Sequence, residues 1–339
     1  MTGSVGIVIP LYNKGPYVER AVRSVLAQTH GDWRLVVVDD GSTDDGPQRV
    51  EALADPRITV SRYPNGGVSM ARNRGVAELD TEWIAFLDAD DEWHPDFLRR
   101  AASVIDEANQ HLVAVGTGRY CDSCGGTPFQ NCRQDPWFVT GYFDMCTTYD
   151  TAPLSSSSCV VNRPALLQAG GFPPGVWHGE DSDTWMRLAW LGPIAFVPET
   201  LATYHDKTPG NTLSAMPPHG WGFPVHPRTF RRWRGRIPAA LMESSRRYVA
   251  NEVLIHAGRL LHYGARAWAL EMLVRNLIWA RYAPAAYRWL LIRAVVGDRL
   301  AQAYGRWRRG TPCTLGSKSA VRIRCLDCHE GVDVFCTSR

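Results

Sequence analysis

Four short apolar runs, at residues 5–10, 33–38, 58–62 and 83–87, alternate with stretches near 17–28, 45–54 and 68–78 whose apolar residues recur at three-to-four spacing. Short apolar runs alternating with helical patterns are the signature of βαβ units, and they predict an α/β fold with a doubly wound, mainly parallel sheet. Ligands of such sheets sit beyond the carboxyl ends of the strands, so the residues just after Ile9, Val38 and Leu87 are expected to share one crevice. With 339 residues, 45% of them hydrophobic, the chain can bury a sizeable core, which excludes a disordered or fibrous class.

The three strand ends carry the chemistry. Asp88-Ala89-Asp90-Asp91 follows the fourth run directly. Carboxylates at i and i+2 can face one pocket, where hard oxygen ligands suit Mg²⁺ or Mn²⁺ bridging a diphosphate, so Asp88 and Asp90 are candidate metal ligands. An acidic turn capping a helix that begins near Pro95 accounts for the same residues. Asp39-Asp40-Gly41-Ser42-Thr43-Asp44 follows the second run. A carboxylate there can accept from a uracil N–H or ribose hydroxyls, Gly41 lets the chain turn, and Ser42 or Thr43 can cap the next helix. Capping explains Ser42 and Thr43, but not two carboxylates at a sheet crevice. After the first run, Pro10-Leu11-Tyr12-Asn13 either offers the Tyr12 ring to a base or is an ordinary turn.

These loops, in this order, resemble the family 2 glycosyltransferases. The resemblance runs from Ile7-Val8-Ile9-Pro10-Leu11-Tyr12-Asn13 through Val37-Val38-Asp39-Asp40-Gly41-Ser42-Thr43-Asp44, Asn65-Gly66-Gly67-Val68-Ser69-Met70-Ala71-Arg72-Asn73-Arg74-Gly75 and Phe86-Leu87-Asp88-Ala89-Asp90-Asp91-Glu92-Trp93. It continues in Gly170-Gly171-Phe172 and in the stretch from Gly179-Glu180-Asp181 to Leu188, and so covers roughly the first 205 residues. It implies a GT-A fold and inverting transfer from a nucleotide-sugar donor, with a UDP-sugar expected, to a glycan or lipid-linked acceptor. By that similarity Pro10, Tyr12 and Asp40 line the base and ribose, and Arg72 lies near the nucleotide. Asp88 contacts ribose or metal, and Asp90 is the principal metal ligand. Asp181 is implied as the general base that takes the acceptor hydroxyl's proton. Glu180 and Asp183 share a first helical turn with it, where acids favour the macrodipole, and spacing alone does not select among the three. A bland role for Arg72 is that of a helix-surface ion-pair partner.

The resemblance breaks near Tyr204-His205-Asp206-Lys207. His205 stands where the family has an arginine, and is a candidate metal or phosphate ligand or else a surface histidine. Lys207 is a candidate diphosphate contact. That departure keeps open a catalytically silent GT-A domain serving as a binding or assembly module. No G-x-G-x-x-G follows the first run, which excludes a dinucleotide oxidoreductase. The acceptor site is expected in residues 120–158 and 173–178, which show no specific pattern.

Four segments are expected: a catalytic domain at 1–215, a linker or covering segment at 216–236, basic amphipathic helices at 237–310 as a C-terminal helical extension, and a Cys-containing tail at 311–339. Cys313, Cys325, Cys328 and Cys336 have pairwise spacing compatible with a structural zinc site, although no standard four-ligand spacing emerges and reduced thiols explain them as well. The charge of +3, from 37 basic and 34 acidic residues, is too balanced for a nucleic-acid binder. No charged-then-apolar leader precedes Val5, and no apolar run approaches the ~20 residues that cross a bilayer. A cytoplasmic protein is expected, with peripheral contact at the inner face of the membrane through basic helices carrying Trp268, Trp279, Trp289 and Trp307. Packing of those helices on the catalytic domain or on a second subunit is the alternative.

Overall fold

A computed structural model describes residues 3–108, 111–122, 137–139, 141–149, 152–176, 178–208, 222–297, 319–324 and 331–336. The chain divides into two compact units, Met1–Tyr142 with Thr151–Ser214, and Phe143–Asp150 with Ala215–Arg339.

The first unit is built on β1 (Val5–Leu11), a strand without a charged residue in which six of seven positions are buried. That pattern belongs to a central strand covered on both faces. β2 (Trp33–Asp39) pairs with it in parallel on one side and β4 (Trp83–Phe86) on the other, while β3 (Ile58–Arg62) lies parallel beyond β2. The crossovers are α1 (Gly15–Leu26), α2 (Gly46–Glu51) and α3 (Val68–Glu78). α1 buries Val18, Ala21, Val22 and Val25, one apolar stripe at helical spacing, and carries Pro16 in its first turn, where the missing N–H is harmless. α3 lies so close to β1 that a Cβ at Gly75 would meet Val8 Cγ1 at 2.5 Å.

Beyond β4 come β5 (Glu92–Trp93), α4 (Phe97–Glu107), β6 (Ala114–Cys121), β7 (Trp137–Val139), α5 (Tyr142–Tyr149), β8 (Cys159–Asn162), α6 (Arg163–Ala169), α7 (Glu180–Leu191) and β9 (Ile194–Tyr204). The sheet order is β3-β2-β1-β4-β8-β6-β9-β5, with β7 also on β9. β8 runs antiparallel to β4 and β6, and β9 runs parallel to β6. The doubly wound first half thus continues into a mixed sheet. β9 runs unbroken from Ile194 to Tyr204 although Pro198 lies inside it. Its ladder with β6 steps from Val197 to Thr200, which leaves Pro198 and Glu199 outside the pairing, where a proline costs no hydrogen bond.

The second unit holds α5 from Phe143 onward, α8 (His226–Trp233), α9 (Met242–His262), α10 (Arg266–Arg275), a 3-10 turn at Leu277–Tyr282, α11 (Pro284–Val296) and an antiparallel pair, β10 (Ser319–Arg324) with β11 (Gly331–Cys336). α8 falls within the segment read as a linker. The Arg266 guanidinium donates to the Val295 carbonyl at 2.5 Å and the Tyr287 hydroxyl to the Leu273 carbonyl at 2.7 Å, so α10 and α11 run antiparallel and are tied at both ends. The buried Tyr248 ring lies 5.5 Å from Phe143 and 5.9 Å from His226. Among the described residues no helix is long and apolar enough to cross a membrane. Cys313, Cys325 and Cys328, and the side chain of Cys336, lie outside the described residues, and the zinc reading with them.

Candidate active site

The chain builds outward from β1 to β2 and β3, then returns with β4 on the opposite side of β1. Strand order therefore reverses between β1 and β4, and the loops leaving β1, β2 and β4 open at one switch-point crevice. The Leu87 N–H still donates to the Val8 carbonyl at 3.1 Å, so Asp88 is the first residue to leave the sheet at this edge.

The loops after β1 and β2 are clamped together. Asn13 has a left-handed backbone (φ +49°), a strained conformation for a residue with a Cβ. Its N–H donates to the Ser42 hydroxyl at 3.1 Å, and its side-chain oxygen accepts from the Thr43 N–H at 2.8 Å. The Asp40 N–H donates to the Leu11 carbonyl at 2.8 Å, which sets Asp40 beside Pro10 and Tyr12. Tyr12 is 50% exposed, so its ring is accessible to a planar ligand. The buried Asp40 carboxylate accepts from the Gly66 N–H at 2.9 Å, the Gly67 N–H at 2.7 Å and Arg74 at 3.0 Å. It thereby fixes the turn into α3, where Gly67 takes φ +84°.

On the β4 side, the Asp88 N–H donates to the Ser157 hydroxyl at 3.1 Å, and the Trp93 indole N–H donates to the Ser157 carbonyl at 2.8 Å. Arg72, only 3% exposed, bridges Asp88 at 2.8 Å and Glu180 at 3.0 Å and lies 5.2 Å from the Phe172 ring. Burial opposes its charge, but Asp88, Glu180 and Asp181 outweigh burial and hold its pKa above the usual range. Burial, then the neighbouring Asp181 charge, pushes Glu180 up to about 7 against the pull of Arg72. Asp90 is paired with Lys14 at 2.7 Å, and Arg20 donates to the Asp90 carbonyl. Asp91 is fully buried and accepts from the His205 N–H at 3.0 Å. Burial first, and then Asp88 and Asp90, drive its carboxyl well above the carboxylate range. The Tyr204 phenol is raised by burial and then by Asp91, Asp88 and Asp90.

α7 begins after Gly179 and places Asp181, half-buried, next to Glu180. Helix-end electrostatics is not the whole role of its other two acids. Glu180 holds Arg72, and the buried Asp183 pairs with Arg187 at 2.9 Å. Arg187 also donates to the carbonyls of Ala169 at 2.5 Å and Gly171 at 2.7 Å, so this pair joins α7 to the end of α6. Arg72 is a buried bridge rather than a surface ion-pair partner. The His205 ring lies between Asp122, 2.8 Å from Nδ1, and Glu92, 3.1 Å from Nε2, so both nitrogens face carboxylates. Lys207 donates to the Asp122 carbonyl at 3.1 Å.

The crevice thus gathers Pro10, Tyr12 and Asp40 on one side and Asp88 and Asp90 on the other, and Arg72 connects Asp88 to the start of α7. Asp88 and Asp90 are hard oxygen donors of the kind Mg²⁺ and Mn²⁺ take. Among the described residues no three His, Cys, Asp or Glu side chains form a metal-holding group, so phosphate oxygens would have to complete the shell of an ion there. Sequence reasoning passed over Lys14 and Ser157. Their signals were a lysine immediately after Tyr12-Asn13 in a chain with three lysines, and four consecutive serines at 155–158.

The glycosyl transferase family 2 model matches residues 6–170. Among curated relatives, an uncharacterized glycosyltransferase of Nostoc sp. is 32% identical over 62% of this chain and 67% of its own length. A putative teichuronic acid biosynthesis glycosyltransferase, TuaG of Bacillus subtilis, is 30% identical over 62% of this chain and 81% of its own. Among solved structures, S. aureus TarS 1-349 in complex with UDP-GlcNAc superposes with a TM-score of 0.61 at 19% identity, covering 91% of this chain and 92% of that one. The mannosyltransferase PcManGT from Pyrobaculum calidifontis, in complex with GDP-Man and Mn²⁺, gives 0.56 at 20% identity, covering 90% and 87%.

Proposed function

Because the chain belongs to glycosyltransferase family 2, we propose that its GT-A unit transfers a sugar, with inversion, from a nucleotide-sugar donor to a hydroxyl of a glycan or lipid-linked acceptor. A UDP-sugar is the favoured donor, a choice supported by the UDP-GlcNAc held by the TarS structure, and polysaccharide assembly is the setting supported by the TuaG name. Catalysis is assigned to the first unit, in keeping with a catalytic domain over residues 1–215.

The Tyr12 ring stacks on the base, and Pro10 and Asp40 wall the base and ribose. Arg72 holds Asp88 toward the ribose side while its other arm fixes Glu180, and so the first turn of α7. The Asp181 carboxylate takes the proton of the acceptor hydroxyl as that oxygen attacks the anomeric carbon. Glu180 is set aside as the base because its carboxylate is engaged by the Arg72 guanidinium. The chemistry of Asp90 and Asp88 fits a divalent ion, Mg²⁺ or Mn²⁺, which would offset charge on the departing diphosphate, and the Mn²⁺ of the PcManGT structure supports that use. His205, with a carboxylate against each ring nitrogen, is assigned to bracing β5 and β9 against the end of β6 rather than to the ion.

The observation that carries this reading is the buried Arg72 bridge, which joins a strand-end carboxylate to the helix turn bearing the base. The test is transfer and nucleotide binding over UDP-, GDP- and dTDP-sugars with each metal. Asp181→Asn is expected to keep nucleotide binding and lose transfer by about 10²–10⁴-fold, while Asp90→Ala loses metal-assisted binding. Absence of nucleotide binding by the wild type, with and without metal, sinks the reading.

A further inference from the structure

α10 buries Ala269, Met272 and Leu273, and Asn276 just after it is buried too. Helical spacing then puts Ala267, Glu271 and Val274 on the opposite, outward ridge, and Leu277 and Ile278 follow in the 3-10 turn just after it. A solvated helix carries polar residues on such a ridge. Here Val274 is 59% exposed and Ile278 63%, and Leu277 beside them is 57% exposed. Glu271 is neutralised by Arg275 at 2.7 Å. The Arg275 guanidinium also lies 4.9 Å from the ring of Phe223, itself an exposed aromatic, so a fourth apolar side chain adjoins the three. Arg281, exposed over the Tyr282 ring at 4.8 Å, closes the patch.

Charge selects the occupant. From residue 263 to 297 the chain carries Arg266, Arg275, Arg281, Arg288 and Arg293, with Glu271 as the sole acid. A second copy meeting this surface through its own would set arginine against arginine, which electrostatic complementarity disfavours. A nucleic acid would answer the arginines but leave Val274, Leu277 and Ile278 without apolar partners. An anionic bilayer answers both, taking the aliphatic side chains below the headgroups and the guanidinium groups at the phosphates. We infer that the end of α10 and the turn after it, with Phe223, form a docking surface for an anionic phospholipid membrane. This goes beyond the donor chemistry and holds whatever the donor is.

The test is co-sedimentation of the full chain with vesicles of phosphatidylcholine plus phosphatidylglycerol and with vesicles of phosphatidylcholine alone, at low and high salt. Wild type is expected to prefer the anionic vesicles, and salt to weaken the binding. Leu277→Glu with Ile278→Glu, and separately Arg275→Glu with Arg281→Glu, should each weaken it by about tenfold or more, with the circular dichroism melt and donor turnover in solution unchanged. The inference is overturned by absence of vesicle binding, by indifference to phosphatidylglycerol, or by variants that bind like wild type. It is also overturned if light scattering finds a vesicle-free dimer that the aliphatic substitutions abolish, since the surface is then a self-interface.

Discussion

In the first unit, one buried arginine gathers two carboxylates: Arg72 joins the partly exposed Asp88 to Glu180. In the second, most of the buried side chains around α9 to α11 are aromatic and aliphatic, and polar groups among them such as the Ser245 and Tyr287 hydroxyls and the Asn276 amide find backbone carbonyls instead. Buried ion pairs cost desolvation and contribute little net stability, but they hold directional side chains in place. Apolar packing stabilises strongly and fixes no chemistry. Substitutions in the crevice are therefore expected to separate activity from stability, and substitutions in the helical unit to do the reverse.

Arg72→Met strains that division most, because it should do both. Removing one partner of a buried pair leaves Asp88 and Glu180 uncompensated, at a cost of about 3–5 kcal/mol, and frees the first turn of α7. Chemical denaturation and transfer assays on the same preparation check it, and a loss of transfer at unchanged stability would show that the bridge bears no structural load. Tyr248→Ala in α9 should remove about 3 kcal/mol through the cavity it leaves while nucleotide affinity stays at the wild-type value, read by calorimetry below the melting transition.

A smaller effect concerns pH. Glu180 has a folded pKa pushed from its ordinary 4.5 to about 7 by burial and by Asp181. The folded state holds that proton more tightly than the unfolded chain, so the stability linked to it is complete below 4.5 and is lost as pH climbs through 7. Glu180→Gln should flatten the fall in melting temperature across that window, and parallel curves for variant and wild type would refute the assignment. Smallest is Arg247→Ala, which breaks an exposed pair with Asp144 at 2.9 Å and should shift stability by less than about 1 kcal/mol.

The first half of the sheet was legible because β1 to β4 are short, apolar and separated by helical repeats, so periodicity alone located them. The positions of Pro10, Tyr12, Asp40, Asp88 and Asp90 were legible for a related reason, since they stand at strand ends whose order the topology fixes, whereas Arg72 and Asp181, on α3 and α7, were reached through the family resemblance alone. Three kinds of information were not local. The antiparallel return of β8 between β4 and β6 depends on long-range pairing that no window of residues displays. The partners of Arg72 are 16 and 108 positions away, so spacing offers no hint that its guanidinium is buried. The bulge that keeps β9 continuous across Pro198 reads in sequence as a break. α8 was masked by the Pro, Trp and Arg content of its surroundings, which resembles a linker more than a helix.

Arg187 reaches four groups, two on α7 and two at and just beyond the end of α6: the carboxylate of Asp183, the hydroxyl of Thr184 and the carbonyls of Ala169 and Gly171. A lysine carries one ammonium where this geometry uses a planar fork, so even the mildest exchange breaks several contacts at once. The consequence is genealogical: Asp183 and Arg187 should be inherited as a unit, and a descendant that lost the acid would be under immediate pressure to surrender the base as well.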